Sequence, residues 1–206
     1  MKEKRLINYL CLSGVLCLIF YLLHDIIGAM NYPGYNFMSQ AVSDLTASDS
    51  PSFVVAHGYS AVYGIFSCLC CALVSILVKK KNNKLKIGIY LFSIMNFISA
   101  IGYSIFPLSS AGYDGSVQSF IHVYVITILV VLLSIISLIL IAIGSSKEKN
   151  KLLMILAIIS LVLMFVGAAG SQSVPKEIFG LIERFSTYSA VIFTAILGIY
   201  GFKLKD

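Results

Sequence analysis

The sequence predicts an all-α integral membrane protein, a bundle of six transmembrane helices. Of its 206 residues, 59% are hydrophobic and only 12% are charged, and soluble domains usually carry about twice that charged fraction. The apolar residues fall in six long runs, which one soluble core of this chain length cannot bury. These observations exclude a water-soluble fold and predict a single membrane domain over residues 1–206.

Each apolar run is long enough to cross a bilayer as a helix, which takes about 20 residues. Helices are expected because lipid forces each segment to satisfy its own backbone, and the runs exceed the length of a barrel strand. The first run follows Lys2, Lys4 and Arg5 as in a signal peptide, but its length and the lack of a small-residue cleavage site predict a retained helix. The predicted spans are 6–29, 53–78, 86–106, 118–143, 152–171 and 178–202.

The basic residues predict the orientation of the bundle. Thirteen of the fifteen lie in the amino terminus, the second and fourth connections and the carboxyl tail, which six spans bring to one side. The positive-inside rule makes that side cytoplasmic, so we expect both termini inside and connections 30–52, 107–117 and 172–177 outside. Six of the nine acidic residues lie at or near the outer side. The net charge of +6 is thus a topology signal, and no nucleic-acid partner is expected.

The first outer connection is the longest. Apolar residues between Phe37 and Leu45 recur at three- or four-residue spacing, which predicts a short amphipathic helix lying on the outer leaflet. Ser50 and Pro51 fit the N-cap and first turn of the second span. Because long loops often carry function, this connection is a candidate functional segment.

Ionisable side chains within spans are costly and are therefore functional candidates. In this chain they lie only near the outer ends, about 5–10 Å below the outer surface by helix length. We predict a polar chamber there, with Asp44 of the first outer loop contributing. Its candidate ligand-binding residues are Asp25, Asp44, His57, His122, Glu183 and Arg184. The candidate catalytic residues are Asp44, His122, Glu183 and His57.

Helical phase assigns two of these residues to packing faces. Three- and four-residue steps from His57 meet a stripe of small residues, and steps from Glu183 meet a second one, as in closely packed membrane helices. Periodicity does not orient His122. Asn96 is expected to join helices by a hydrogen bond. The boundary residues His24 and Asp49 are expected to reach water. The tyrosines assigned to an interfacial belt are Tyr32, Tyr35, Tyr59, Tyr103 and Tyr113.

Two interpretations of the polar set remain open. In one, Arg184 holds a phosphate or carboxylate of a ligand. In the other, Arg184 pairs with Asp44 or Asp25 and closes the bundle. No metal and no cofactor are expected, because the three histidines lack the local spacing of zinc ligands. The five cysteines lie within apolar runs and are interpreted as small hydrophobic residues.

Short motifs, in order along the whole chain, carry a family resemblance. They are Pro33-Gly34-Tyr35, then Ser39 through Leu45, Phe106-Pro107, His122, and Gly180 through Arg184. With these motifs the chain resembles the bacterial and archaeal membrane family known as domain of unknown function 998. Through Ser43-Asp44-Leu45 it resembles, more distantly, the DRAM-type membrane family, which includes relatives of proteins acting on glycosylphosphatidylinositol lipids. The first resemblance implies six helices and interest in Asp44, His122, Glu183 and Arg184, but no established activity.

The leading functional hypothesis is a protein of a prokaryotic cytoplasmic membrane that engages a lipid or other amphiphile in a polar pocket near the outer leaflet. The partner is then a membrane lipid or a small amphiphile. One alternative is an intramembrane lipid hydrolase or transferase that uses histidine and carboxylate residues. A small transporter is another, although the inner halves of the spans carry few polar residues. A structural or immunity-type membrane partner is the last. The sequence decides neither whether the protein is an enzyme nor its oligomeric state.

Overall fold

The computed structural model describes residues 5–204, and the regular structure within them is entirely helical. Six of the helical segments are long and apolar enough to cross a membrane, as the sequence predicts. The α-helices are α1 Leu6–Leu10, α2 Ser13–Met30, α3 Phe53–Leu77, α4 Asn83–Ile105, α5 Val117–Phe120, α6 Thr127–Lys147, α7 Lys151–Gly170 and α8 Phe179–Lys203.

The span boundaries differ from the predicted ones mainly where polar residues continue a helix. The third span begins at Asn83 instead of residue 86, because the Asn82 side chain accepts the Leu85 amide at 3.1 Å and caps the first turn. The fourth continues to Lys147, past the end of its apolar run. The second begins at Phe53 as predicted, but Ser50 and Pro51 form a turn ahead of it and Ser52 is the N-cap residue.

Two spans are irregular at places that hydropathy does not mark. The first is interrupted at Cys11 and Leu12, between α1 and α2. The fourth contains a π-helical turn over Ile121–Ile126, between α5 and α6. Such wide turns in a helix are uncommon and frequently lie at functional sites.

The spans form a ring in which consecutive spans are neighbours and α8 returns to pack against α2. Glycines make the closest approaches: a Cβ on Gly14 would lie 2.6 Å from the Thr194 carbonyl oxygen, and one on Gly201 2.8 Å from the sulfur of Cys11. This agrees with the predicted small-residue face of α8. Asn96 accepts a hydrogen bond from the Ser67 hydroxyl and so joins α4 to α3, as expected.

The two ends of the bundle are chemically unlike. At one end, the loop end, the connections around residues 31–52, 106–116 and 171–178 meet, and the Ser48 amide donates to the Leu108 carbonyl at 2.8 Å. The other, the lysine end, carries the Lys79–Lys86 connection. There Lys81 bridges Glu148 at 3.4 Å, and N–H donors of Asn82 lower the pKa of Glu148.

The first loop does not form the predicted amphipathic surface helix. Its regular part is a five-residue 3₁₀ helix, Val42–Thr46, and the side chains of Val42 and Leu45 are buried in a cluster with Tyr21. Val42 and Leu45 of the apolar repeat therefore face the bundle instead of the leaflet, whereas Phe37 at its start is exposed. A Cβ at Gly180 would collide with the Gln40 carbonyl, so glycine lets the loop backbone lie directly on α8.

Candidate functional site

A buried ion pair between Arg184 of α8 and Asp25 of α2 lies at the loop end. Nε of Arg184 donates to Oδ2 of Asp25 at 3.0 Å and Nη2 donates to Oδ1 at 2.8 Å. Both side chains are 3% exposed, and the two parallel bonds form the fork geometry that arginine makes with carboxylates. The Tyr188 hydroxyl donates to Oδ2 of Asp25 at 2.8 Å.

Arg184 also holds the first loop. Nη1 donates to the carbonyls of Phe37, Gln40 and Gly180 at 3.1, 3.0 and 2.9 Å. The guanidinium carbon lies 3.9 Å from the centre of the Phe37 ring, in cation–π contact. All three guanidinium nitrogens are thus engaged within the protein. Of the two partners considered from the sequence, Asp25 is the one that pairs with Arg184.

Tyr35 belongs to this network and not merely to an interfacial belt. Its hydroxyl accepts Nη2 of Arg184 at 2.6 Å and donates to the Ala41 carbonyl at 2.8 Å. Burial raises the pKa of Tyr35 to about 12, so the phenol stays protonated and keeps both roles at neutral pH. The belt assignment missed this because a loop tyrosine has no periodicity that reveals its direction.

Asp44 connects the first loop to the second. It is buried in the 3₁₀ helix, and its Oδ1 accepts the Gly112 amide at 3.0 Å. Burial raises the pKa of this carboxyl above its ordinary value, while the Gly112 amide and Arg184 act in the opposite direction. Asp44 therefore fastens a loop instead of forming the ion pair.

Glu183 lies beside the ion pair but has its own contacts. Its Oε1 accepts the Thr187 hydroxyl at 3.1 Å and its Oε2 accepts the Val42 amide at 3.4 Å. The carboxyl interacts electrostatically with Tyr21 and Tyr103. Within residues 5–204 no basic side chain forms a salt bridge with it.

Two histidines are buried and hydrogen-bonded to backbone carbonyls. Nδ1 of His24 lies 3.1 Å from the Ala56 oxygen, so the expectation that His24 reaches water is wrong, because α2 turns it toward α3. Asp49 is exposed, as expected. Nδ1 of His122 lies 2.8 Å from the Phe106 oxygen, in the π-helical turn that orients it where periodicity did not.

The π-helical turn is stabilised by hydroxyl groups. The Thr127 hydroxyl donates to the His122 carbonyl at 2.8 Å, which provides that carbonyl with a partner. The Tyr103 hydroxyl lies 3.0 Å from the Thr127 hydroxyl, and the rings of Tyr103 and His122 lie 4.6 Å apart. These contacts connect α4 to the fourth span and make Tyr103, too, more than a belt residue.

A cavity of about 500 Å³ opens between α3 and α4 at the loop end. From His57 to Cys68 it follows α3 over twelve residues, about 16 Å of helix. Its outer rim is apolar and exposed, with Ile65, Phe97 and Ile101, so the cavity opens sideways from the bundle. Its remaining lining residues are Thr46, Ser60, Ala61, Tyr63, Gly64, Ser99, Ala100, Tyr103, Ser104 and Pro107.

His57 is the one residue of the predicted chamber set that lines this cavity. Its ring stacks on Phe53 at 5.2 Å, and no hydrogen bond to it is found in the described part of the chain, unlike His24 and His122. The small residues that follow it on α3 are divided: Ser67 packs against α4, whereas Ser60 faces the cavity.

The predicted residues therefore occupy one end of the bundle but perform different tasks. Asp25 and Arg184 pair, Asp44 fastens a loop, and His122 bonds a carbonyl, while His57 faces the cavity. No three metal-ligating side chains converge within residues 5–204. Sequence reasoning missed the cavity, Tyr188 and Tyr63, since each depends on how two helices face one another.

The six apolar spans and their exposed hydrophobic surface define a multi-pass helical membrane protein. Residues 15–200 match the family described as protein of unknown function DUF998, and the chain belongs to that family. No curated protein and no solved structure matches the chain significantly. The resemblance to this family found from the motifs is confirmed, whereas the more distant resemblance to the DRAM-type family stays a prediction; the family description brings no activity with it.

Proposed function

We propose that this protein binds a membrane lipid or similar amphiphile in the lateral cavity between α3 and α4. The single observation that carries the proposal is the shape and lining of that cavity. Its volume of about 500 Å³ lies within the range of small-molecule sites. Its outer rim is apolar, and its loop end carries His57, Thr46 and Ser104.

An amphiphile fits this gradient in one orientation. The chain would lie against Ile65, Phe97 and Ile101, and the head would lie near His57 at the loop end. The side chain of His57 is available, because the structure gives it a stacking partner and no hydrogen bond within the described residues. Asp25 and Arg184 then act indirectly, by holding the first loop, from which Thr46 extends into the cavity.

We further propose that the loop end faces outward in a prokaryotic cytoplasmic membrane, with both termini inside. The concentration of basic residues at the lysine end supports this orientation. The bacterial and archaeal family that the chain resembles supports the compartment. The cavity would then open to the outer leaflet.

An intramembrane hydrolase or transferase is the second candidate function. His57, with a ring free of hydrogen bonds in the described chain and facing a ligand-sized cavity, favours it as a general base. Lipid turnover by purified protein, abolished in His57→Ala and retained in His122→Ala, would support it. If the purified protein retains lipid but does not convert it, only the binding function is supported.

The test of the binding function uses Ala61→Phe, which adds a ring inside the cavity, and Ala169→Phe as the matched control. Ala61 lines the cavity, whereas Ala169 is exposed on α7 away from it. Lipid co-purified with each protein is measured by mass spectrometry after extensive detergent washing. We expect a retained lipid in the wild type and the control and its loss in Ala61→Phe. Equal lipid in all three proteins would refute the proposal.

A further inference from the structure

The charge distribution around the lateral cavity points to the chemical class of its ligand. We propose that the cavity selects an amphiphile with a cationic ammonium head over one with an anionic head. This inference rests on the proposed binding function and adds the sign of the head group to it.

Among the residues that the structure describes, the lining of the cavity offers no lysine or arginine side chain to an anionic head. Arg184, the arginine considered for an anionic head, is committed to Asp25, Tyr35 and loop carbonyls through all three of its nitrogens. An anionic head would therefore enter a low-dielectric space with no cation to receive it, which is unfavourable.

Glu183 is the acidic side chain that acts on the inner wall of the cavity. Tyr63 and Tyr103 line the cavity, and the Glu183 carboxyl interacts electrostatically with Tyr103. The ring of Tyr63 meets that of Tyr21 edge-to-face, with centroids 4.9 Å apart, and Glu183 also acts electrostatically on Tyr21. Asp25 is paired with Arg184, whereas no basic side chain within residues 5–204 forms a salt bridge with Glu183. The charge of a Glu183 carboxylate would therefore act on the cavity without a compensating cation.

The lining of the cavity contains several aromatic side chains. Besides Phe97 on the rim, Tyr63 and Tyr103 line the cavity, and aromatic rings attract ammonium groups through their negative faces. Aromatic side chains around a site without a lysine or arginine are the arrangement that receives quaternary ammonium groups. The field of Glu183 and the rings thus act in the same direction.

The test compares tetradecyltrimethylammonium with tetradecanoate and with tetradecanol, which share a chain length and differ in head charge. Binding to the full chain in a neutral detergent is measured by calorimetry at one fixed pH for all three probes. Binding to Ala61→Phe is subtracted, so that partition into the micelle cancels. We expect the ammonium probe to bind at least about tenfold more tightly than the carboxylate, as one charge contact in a partly buried site provides.

Two variants assign the preference to its sources. Glu183→Gln keeps one acceptor oxygen, for the Val42 amide, and its NH2 group can donate to the Thr187 hydroxyl, but it removes the charge, and Glu183→Asp restores the charge. We expect the ammonium preference to fall in the first and return in the second. Phe97→Leu, on the exposed rim against which the alkyl chain would lie, is the control and should change the binding of all three probes alike.

The possible results distinguish a failure of the ammonium preference from a failure of the proposed binding function. If Ala61→Phe removes no binding of any probe, the proposed function fails. If the three probes bind the wild type equally, or the carboxylate binds best, the binding function survives and the inference is overturned. Enrichment of ammonium-headed phospholipids in the co-purified lipid would identify the membrane as the source of the ligand. If the probes show the ammonium preference but no such phospholipid co-purifies, the ligand is a free cationic amphiphile.

Discussion

Burial removes water from Arg184 and Asp25, and hydrogen bonds within the protein replace it. Arg184 donates to Asp25 and to the Phe37 carbonyl of the first loop, and Asp25 also accepts the Tyr188 hydroxyl. Each charge thereby obtains compensation that a bare pair in lipid lacks. Removing one partner leaves the other charged and unpaired, which is the costly event for a buried pair. The contribution of the pair to the free energy of unfolding is therefore measured better by a double-mutant cycle than by single substitutions.

Arg184→Gln and Asp25→Asn are each expected to destabilise the protein by about 3–5 kcal/mol, the usual result of breaking a buried ion pair. The double variant should lose much less than the sum, because neither charge is then left alone. Thermal unfolding in detergent measures all three. Tyr188→Phe, which removes one hydrogen bond to Asp25, serves as a control with a loss of about 1 kcal/mol. Additive losses would contradict a direct pair.

The buried carboxyl of Asp44 should make the free energy of unfolding depend on pH. Its pKa is raised in the folded protein by burial, so the folded state retains a proton that the unfolded state releases above about pH 4. The free energy of unfolding should therefore fall as pH rises from there through the folded pKa and then become level. Asp44→Asn keeps an acceptor for Gly112 and lacks this dependence.

The measurement is the melting temperature of wild type and Asp44→Asn from about pH 4 to about pH 7, the range in which a raised aspartate pKa titrates. The wild type should lose stability relative to the variant as pH increases across the window. Curves that run parallel would show that the carboxyl titrates alike in both states.

At the scale of elements, glycines determine how closely the spans approach. A Cβ at Gly167 of α7 would collide with Ser186 of α8, whereas one at Gly58 of α3 meets nothing within 4 Å. Gly167→Ala should therefore push α7 away and lower stability by about 1–3 kcal/mol. Gly58→Ala is the control and should be neutral or stabilising, since alanine favours a helix. Thermal unfolding compares them, and equal effects would contradict the close packing.

Helix positions were predictable because each span is specified by its own run of apolar residues, independently of its neighbours. The interruption at Cys11 and the π-helical turn at His122 were not predictable, since neither contains proline or glycine and both depend on contacts with other spans. The first loop shows the same limit. Its three- and four-residue repeat indicated an apolar face but not whether the face meets lipid or the bundle.

The candidate site could be predicted only in part, for a related reason. Depth along a helix follows from residue counting, so the polar layer at the loop end was foreseen. Which polar residues touch follows from the rotation and spacing of helices, so the choice between Asp25 and Asp44 as partner of Arg184 remained open. The cavity depends on small side chains of α3 facing small side chains of α4, Gly64 opposite Ala100 among them.

At the scale of the whole molecule, the bundle has a polar loop end and a basic lysine end separated by an exposed apolar surface. An opening of the cavity toward the outer leaflet, as proposed, requires the loop end to lie outside. The positive-inside rule makes that orientation a testable expectation, because the basic connections between spans are short.

Ala111→Cys and Ser146→Cys report the orientation. Ala111 is exposed at the loop end and Ser146 at the lysine end, and a membrane-impermeant maleimide is applied to intact expressing cells. Wild type is the blank, because four of its five cysteines are buried and Cys68 is half-buried in a span. We expect Ala111→Cys to be labelled in intact cells and Ser146→Cys only after lysis. The reverse pattern would place the cavity at the cytoplasmic leaflet, and the ligand would then have to be sought among inner-leaflet amphiphiles.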